Sequence, residues 1–226
     1  VSPTSVNQLL SDEQRAGLKQ ARDRHIEGLA LLAGIVAVMW VLEVINTISG
    51  NDLDGDGIYA RNVGHFWGIL TSPFIHASFQ HLTDNTVPFV FLGAIIAFRG
   101  AGRLALVTAV IILIGGLGTW LISPSAGHVD TIGCSGVVFG YAAYLLTRGL
   151  FDRSLTELLV GVVVGIVWGA ALASSLVPHT GISWQAHLCG AIAGVIVAWR
   201  LSETDRRSGR GRAGAGAEPV GTVTVV

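Results

Sequence analysis

Residues 133–144 read GCSGVVFGYAAY. A single aliphatic hydroxyl, that of Ser135, stands at the head of an apolar run, and Gly136 and Gly140 follow it four residues apart. Glycines at that interval let two helices in lipid approach backbone to backbone. The stretch therefore admits two readings. Ser135 is either a nucleophile or a small residue at a helix crossing, and the rest of the chain has to decide between them.

The surroundings are those of an integral membrane protein. Of 226 residues, 51% are hydrophobic and only 13% charged, against about 25% charged in an ordinary soluble domain. Mean hydropathy is +0.61. A net charge of −1 advertises no basic surface for nucleic acid. Cys134 and Cys189 both fall in apolar runs and read as small packing residues rather than as a disulfide framework. The first apolar run lacks a small-residue cleavage pattern after it, so it reads as a span and not as a removable leader.

A run that crosses a bilayer needs about 20 residues. Six are read, at 28–48, 82–98, 103–123, 133–147, 156–177 and 184–200. Lys and Arg cluster in alternate connections. The N-terminal segment has Arg15, Lys19, Arg22 and Arg24. The second connection has Arg99 and Arg103, the fourth Arg148 and Arg153, and the C-terminal segment begins with Arg200. The odd connections carry only Arg61. This asymmetry predicts a multi-pass plasma-membrane protein with both termini cytoplasmic. Spans two, four and six then run from outside to inside. Residues 1–27 form a cytoplasmic segment with the charge mixture of a surface helix. Residues 201–226 are rich in Gly, Ala and Arg and read as a disordered tail. The outer loop at 49–72 holds NDLDGDG, the opening of a calcium loop. The twelfth position from Asp52 is Val63, where such a loop needs a bidentate Glu. Asp52, Asp54 and Asp56 therefore read as a solvated turn.

Polar side chains within a span are costly and tend to face a cavity or a partner. Here they gather at the outer ends of the three inward-running spans: His76, His81, Asp84 and Asn85 on the second, Ser135 on the fourth, His187 on the sixth. Ser135 lies 13 residues before Arg148, His187 13 before Arg200, and Asn85 14 before Arg99. At 1.5 Å per helical residue, all three sit about 20 Å above the inner surface. Gly190 and Gly194 form a second small-residue stripe, preceded by Ala186, and His187 projects from it. Packing that stripe on Gly136 and Gly140 predicts that Ser135 meets His187. His81 and Asn85, four apart, share one face of span two.

A serine hydroxyl needs a base to become a nucleophile, and His187 is the candidate. Span six has no Asp or Glu; Glu43 is in span one and Glu157 opens span five. A dyad fits better than a triad. His81, Asn85 and the first backbone N–H groups of the fourth helix are candidate oxyanion donors. The string GCSGV is not a nucleophile elbow, because Val137 stands where the last Gly belongs. Taken singly, each of these residues has an ordinary structural explanation, and His25, His65, His128 and His179 are read that way. Shared depth and shared direction set Ser135, His187, His81 and Asn85 apart.

Three motifs in order resemble those of the rhomboid intramembrane serine proteases, and look most like actinobacterial members: HASFQHLTDN, GCSGVVFGY and AHLCGAIAG. The resemblance covers about residues 28–200. It implies an all-α integral membrane fold, a six-transmembrane-helix bundle with a water-filled cavity open to the outside. It implies a protease that uses no metal or cofactor and cuts single-pass membrane proteins near the outer face of the bilayer. Ser135 would be nucleophile and His187 general base, with His81 and Asn85 at the oxyanion hole. Gly133 and Gly136 would allow close approach around the serine, Phe139 would hold the imidazole, and His76 would structure the start of span two. One departure is plain. Many members carry Trp-Arg in the first outer loop, whereas here Trp67 is followed by Gly68. Two rival readings remain open at this point: an inactive client-binding relative, and a metal or transport protein built on His76, His81, Asp84 and His187.

Overall fold

The chain enters its first helix through a capping box. Ser11 Oγ accepts from the Gln14 N–H at 3.3 Å, and Gln14 Oε1 accepts from the Ser11 N–H at 2.9 Å, which satisfies two donors that a helix start leaves over. In this computed structural model, residues 11–124, 131–177 and 183–215 are described. Within them lie six helices of at least 18 residues: α1 (Asp12–Ile48), α2 (Phe79–Ala97), α3 (Ala101–Ile122), α4 (Ser135–Asp152), α5 (Leu155–Ser174) and α6 (Trp184–Ala215). The only β pairing among the described residues is one isolated bridge, Ile58 to Thr131.

Two expected boundaries fall inside helices. The segment before residue 28 and the first apolar run are one helix of 37 residues, about 55 Å long. At the other end, α6 continues to Ala215, so the disordered tail expected from residue 201 is helical as far as that point. The first turn of this continuation is held by tertiary contacts. Asp205 is paired with Arg103 at 3.0 Å and Arg148 at 2.8 Å, partners more than 50 residues away that local composition does not reveal.

Helix α4 is the hub. Ten of its 18 residues are buried, against five of 37 on α1. The core runs through Leu82, Phe89 and Leu92 of α2, Leu104, Val107 and Ile111 of α3, and Val138, Tyr141 and Leu145 of α4. Tyr141 is fully buried, and its hydroxyl meets Thr108 Oγ1 at 2.5 Å, so the ring packs without stranding a polar atom. On α6, the glycine stripe packs as expected: a Cβ on Gly190 would collide with the Gly136 carbonyl, and one on Gly194 with the Gly140 carbonyl. Helix α3 joins the same seam. It carries a π-helical turn at Ile111–Gly115, and a Cβ on Gly115 would lie 3.1 Å from the Gly190 Cα.

The outside of the bundle carries many large apolar side chains. Val38, Val41 and Ile48 on α1, Leu106, Leu113 and Leu121 on α3, and Leu159, Ile166 and Val167 on α5 are all exposed. A continuous surface of this kind belongs in lipid. By length and composition, α1 and α3 each suffice to cross a membrane, and α5 carries a shorter apolar stretch, Leu155–Ala170.

Residues 49–78 fold over one end of the bundle in short turns. Asn46 organises them: its Nδ2 donates to Asp54 Oδ1 at 2.9 Å and to the His76 carbonyl at 3.2 Å, and its Oδ1 accepts from the Leu53 N–H at 2.9 Å. The aspartate-rich turn is thus tied to α1. Among the described residues, no three His, Cys, Asp or Glu side chains converge as a metal site.

Candidate active site

Helix α4 begins at Ser135, and the segment before it is pinned from three directions. Gly133 adopts φ +105°, a conformation that favours glycine, and a Cβ there would lie 2.7 Å from His81 Cε1. The Gly133 N–H donates to the Ser72 carbonyl at 2.8 Å, and the Ile58 N–H to the Thr131 carbonyl at 2.9 Å. The Cys134 N–H donates to His76 Nε2 at 3.2 Å. His76 is fully buried, and because its Nε2 accepts, its proton resides on Nδ1. His76 thus acts on the segment before Ser135 more directly than through the start of α2 alone. Cys134 itself is buried in the hydrophobic core, which turns its thiol away from the cavity that Ser135 lines.

His187 sits in the first turn of α6. Ser183 places that turn: its Oγ accepts from the Ala186 N–H at 3.4 Å and from Thr131 Oγ1 at 2.8 Å, which links the start of α6 to the segment before α4. His187 Nε2 is 2.9 Å from Ser135 Oγ, and Nδ1 is 2.9 Å from the Ser175 carbonyl. A carbonyl can only accept, so Nδ1 carries the proton and Nε2 presents its lone pair to the serine hydroxyl. Phe139 stacks on the imidazole with ring centroids 4.1 Å apart and planes 3° from parallel. The ring is held at both nitrogens and on one face.

The geometry extends to the other expected residues. Asn85 is buried and its Nδ2 donates to the His81 carbonyl at 2.9 Å; the His81 and His76 rings meet edge to face at 5.1 Å. His81, Asn85, Ser135, Phe139 and His187 all line a single cavity of about 680 Å³, which is bordered on the α5 side by Trp168 and Ser175. Gly136 lies under Ala186, where a Cβ would stand 3.1 Å from its carbonyl oxygen. The Ser135 and Gly136 N–H groups precede the first bonds of α4, which run from the Val137 and Val138 N–H groups to the Cys134 carbonyl at 2.9 and 3.0 Å, and they lie beside the serine hydroxyl. His65 packs between Tyr59 and Trp67 in the loop after α1, and His25 lies against Phe98. His128 and His179 lie outside the described residues.

Two contributors escaped sequence reasoning. The Ser175 carbonyl carries no side-chain signature, and only the course of α5 brings it to His187. Arg61 is visible in the sequence as the lone cation of its loop, but its partners are not. Its Nη1 donates to the Leu121 carbonyl at 2.8 Å and the Ser123 carbonyl at 2.7 Å, and its N–H bonds the Trp120 carbonyl at 3.0 Å. It caps the end of α3, a favourable place for a cation, and so anchors the loop after α1, which lacks an arginine after Trp67.

Comparison with known proteins agrees with this architecture. The rhomboid domain family matches residues 63–204, and the chain belongs to that family of intramembrane proteases. It is 40% identical to an uncharacterized protein of Mycobacterium bovis, an actinobacterium, over 83% of this chain and 80% of the relative. It is 29% identical to YdcA of Bacillus subtilis, whose name assigns it provisionally to the rhomboid proteases, over 64% of this chain and 71% of that one. Rhomboid-like protein 11 of Arabidopsis thaliana, a chloroplastic protein, is 31% identical over 63% of this chain and 55% of its own length. The chain is therefore a membrane protein of a family that acts on transmembrane substrates within the bilayer.

Proposed function

We propose that this protein is an intramembrane serine endopeptidase that cuts single-pass membrane proteins near the outer face through a Ser135–His187 dyad. The observation that carries the reading is the 2.9 Å contact between His187 Nε2 and Ser135 Oγ inside a cavity of about 680 Å³. The bundle crosses the membrane six times with both termini in the cytoplasm, as the arginine distribution argues.

A substrate segment unwinds locally and places a peptide carbonyl above Ser135. Oγ attacks the carbonyl carbon as its proton passes to His187 Nε2. The imidazolium that forms is stabilised by the Ser175 carbonyl, which accepts from Nδ1–H at the C-terminal, negative end of α5. The oxyanion takes hydrogen bonds from the first N–H groups of α4, aided by Asn85 and His81. As the tetrahedral intermediate collapses, His187 gives its proton to the departing amine. Water then enters the cavity, loses a proton to His187 and attacks the acyl-Ser135 ester. Collapse releases the new carboxyl end and restores the hydroxyl. A His-based metal site is disfavoured by the same contacts, because both ring nitrogens of His187 are engaged with Ser135 and Ser175.

The test is cleavage of a transmembrane reporter by purified protein in detergent. Ser135→Ala and His187→Ala are each expected to lower the rate by a factor of about 10³ or more, and a fluorophosphonate should label Ser135 in the wild type alone. Wild-type rates in either variant would show the dyad to be wrong.

A further inference from the structure

The cavity carries one carboxylate that the reaction does not use. Asp84 lines it between His81 and Asn85 on α2, and it is the only Asp or Glu in the described lining, which holds no Lys or Arg. Counting along α2 places it at the depth of the nucleophile. Its side chain is exposed, and its hydrogen-bonding partner is the Gln80 amide, whose Nε2 donates to Oδ1 at 2.8 Å. A carboxylate has about four acceptor positions, so one neutral donor leaves most of its capacity unused. An ionised group at such depth is costly without a counter-charge or water.

The backbone adds a second acceptor at the same residue. Pro88 lies within α2 and has no N–H, so the helix cannot bond the Asp84 carbonyl in the usual way. The turn Asp84–Pro88 borders the cavity. A carboxylate and a carbonyl without its helical N–H partner, on a residue that lines a cavity whose described lining holds no Lys or Arg, suit a multidentate cationic donor.

Resting on the protease reading above, we propose that Asp84 selects substrates, binding a lysine or arginine side chain carried by the substrate segment within a few residues of the scissile bond. Ammonium and guanidinium groups bring three to five donors, enough to use both acceptors. A hydrogen bond to a charged group in a partly desolvated site supports discrimination of about tenfold. The preference would restrict cleavage to membrane segments whose outer end is basic or is followed closely by a basic residue.

The experiment uses a panel of transmembrane reporters with Lys, Gln or Glu placed at each position within four residues of the cleavage point. Cleavage by the wild type, by Asp84→Asn and by Asp84→Lys is measured as kcat/KM. Binding of the same peptides, fluorescently labelled, is measured on Ser135→Ala. The wild type should favour Lys over Gln by about tenfold at one or two positions. Asp84→Asn should level that ratio, and Asp84→Lys should reverse it toward Glu. The binding ratio on Ser135→Ala should match the wild-type ratio and vanish in Ser135→Ala/Asp84→Asn. Asn is isosteric and Asp84 is exposed, and equal thermal unfolding of the variants confirms that the fold is kept. If no position shows a charge preference that depends on Asp84, in cleavage or in binding, the proposal is overturned. Failure of the protease reading looks different: no reporter is cleaved, while the binding ratio still reports on Asp84.

Discussion

Phe139 is the residue through which packing would reach the proposed chemistry. It lies one turn below Ser135 on α4 and stacks face to face on His187 at 4.1 Å. With Nδ1 held by the Ser175 carbonyl, the stack fixes the plane in which the Nε2 lone pair meets the hydroxyl. Aromatic pairs contribute about 0.5–1.5 kcal/mol beyond burial, so Phe139→Leu, which fills the volume but loses the stack, should lower kcat by about tenfold at most. Phe139→Tyr should keep most of the rate. A larger fall in kcat than rise in KM is the signature of misplaced chemistry rather than weakened binding. Equal stability of the two variants, with kcat unchanged in both, would remove Phe139 from the positioning set.

At the scale of elements, the α4–α6 contact brings the two halves of the site together. Gly136 and Gly190 touch backbone to backbone, as do Gly140 and Gly194, and the register of that contact sets His187 beside Ser135. A methyl group added to Gly190 or Gly194 would meet a carbonyl rather than a movable side chain. Overpacking of this kind costs about 1–3 kcal/mol and more where the backbone must shift. Gly190→Ala and Gly194→Ala should therefore lower the unfolding temperature in detergent and abolish reporter cleavage together. Gly34→Ala on α1, where nothing lies within 4 Å, is the control and should be neutral or stabilising by about 0.5–1 kcal/mol. If Gly190→Ala unfolds like Gly34→Ala, the close contact is not what holds α6 in place.

Across the whole molecule, the end opposite the site is closed by charge. Arg148 is 2% exposed and reaches Asp152 on its own helix at 2.9 Å, Asp205 on α6 at 2.8 Å and the Tyr144 hydroxyl at 2.7 Å. Arg99 pairs with Glu157 at the start of α5. The cluster gathers α3, α4, α5 and α6 below the cavity. Burial alone would raise the Asp205 carboxyl, but Arg148 and Arg103 more than offset it and hold it below its ordinary 3.8. A depressed carboxyl stabilises the folded state fully above its unfolded pKa and loses that contribution as pH falls through the folded one. Thermal unfolding in detergent should show stability falling below about pH 4, with a shallower fall in Asp205→Asn. Parallel curves for the two proteins would mean that Asp205 does not contribute to acid sensitivity.

The sequence alone determined which residues could share a site. Glycines four apart mark helix faces that can touch, and arginines mark the inner surface from which helical rise measures depth. Both signals are local, so Ser135, His187, His81 and Asn85 could be grouped without coordinates. The chain's own pattern also showed that no carboxylate on span six could complete a triad. Tertiary structure decided what depends on groups distant in sequence or on the backbone itself. The Ser175 carbonyl that sets the His187 tautomer has no side-chain signal. His76 reaches the Cys134 N–H across 58 residues, and Arg61 caps α3 across about 60. The helical continuation to Ala215 passes the paired Asp205, whose partners lie on α3 and α4. Composition measures what a segment prefers when alone, whereas these features exist because folding brings a donor and an acceptor within 3.2 Å of each other.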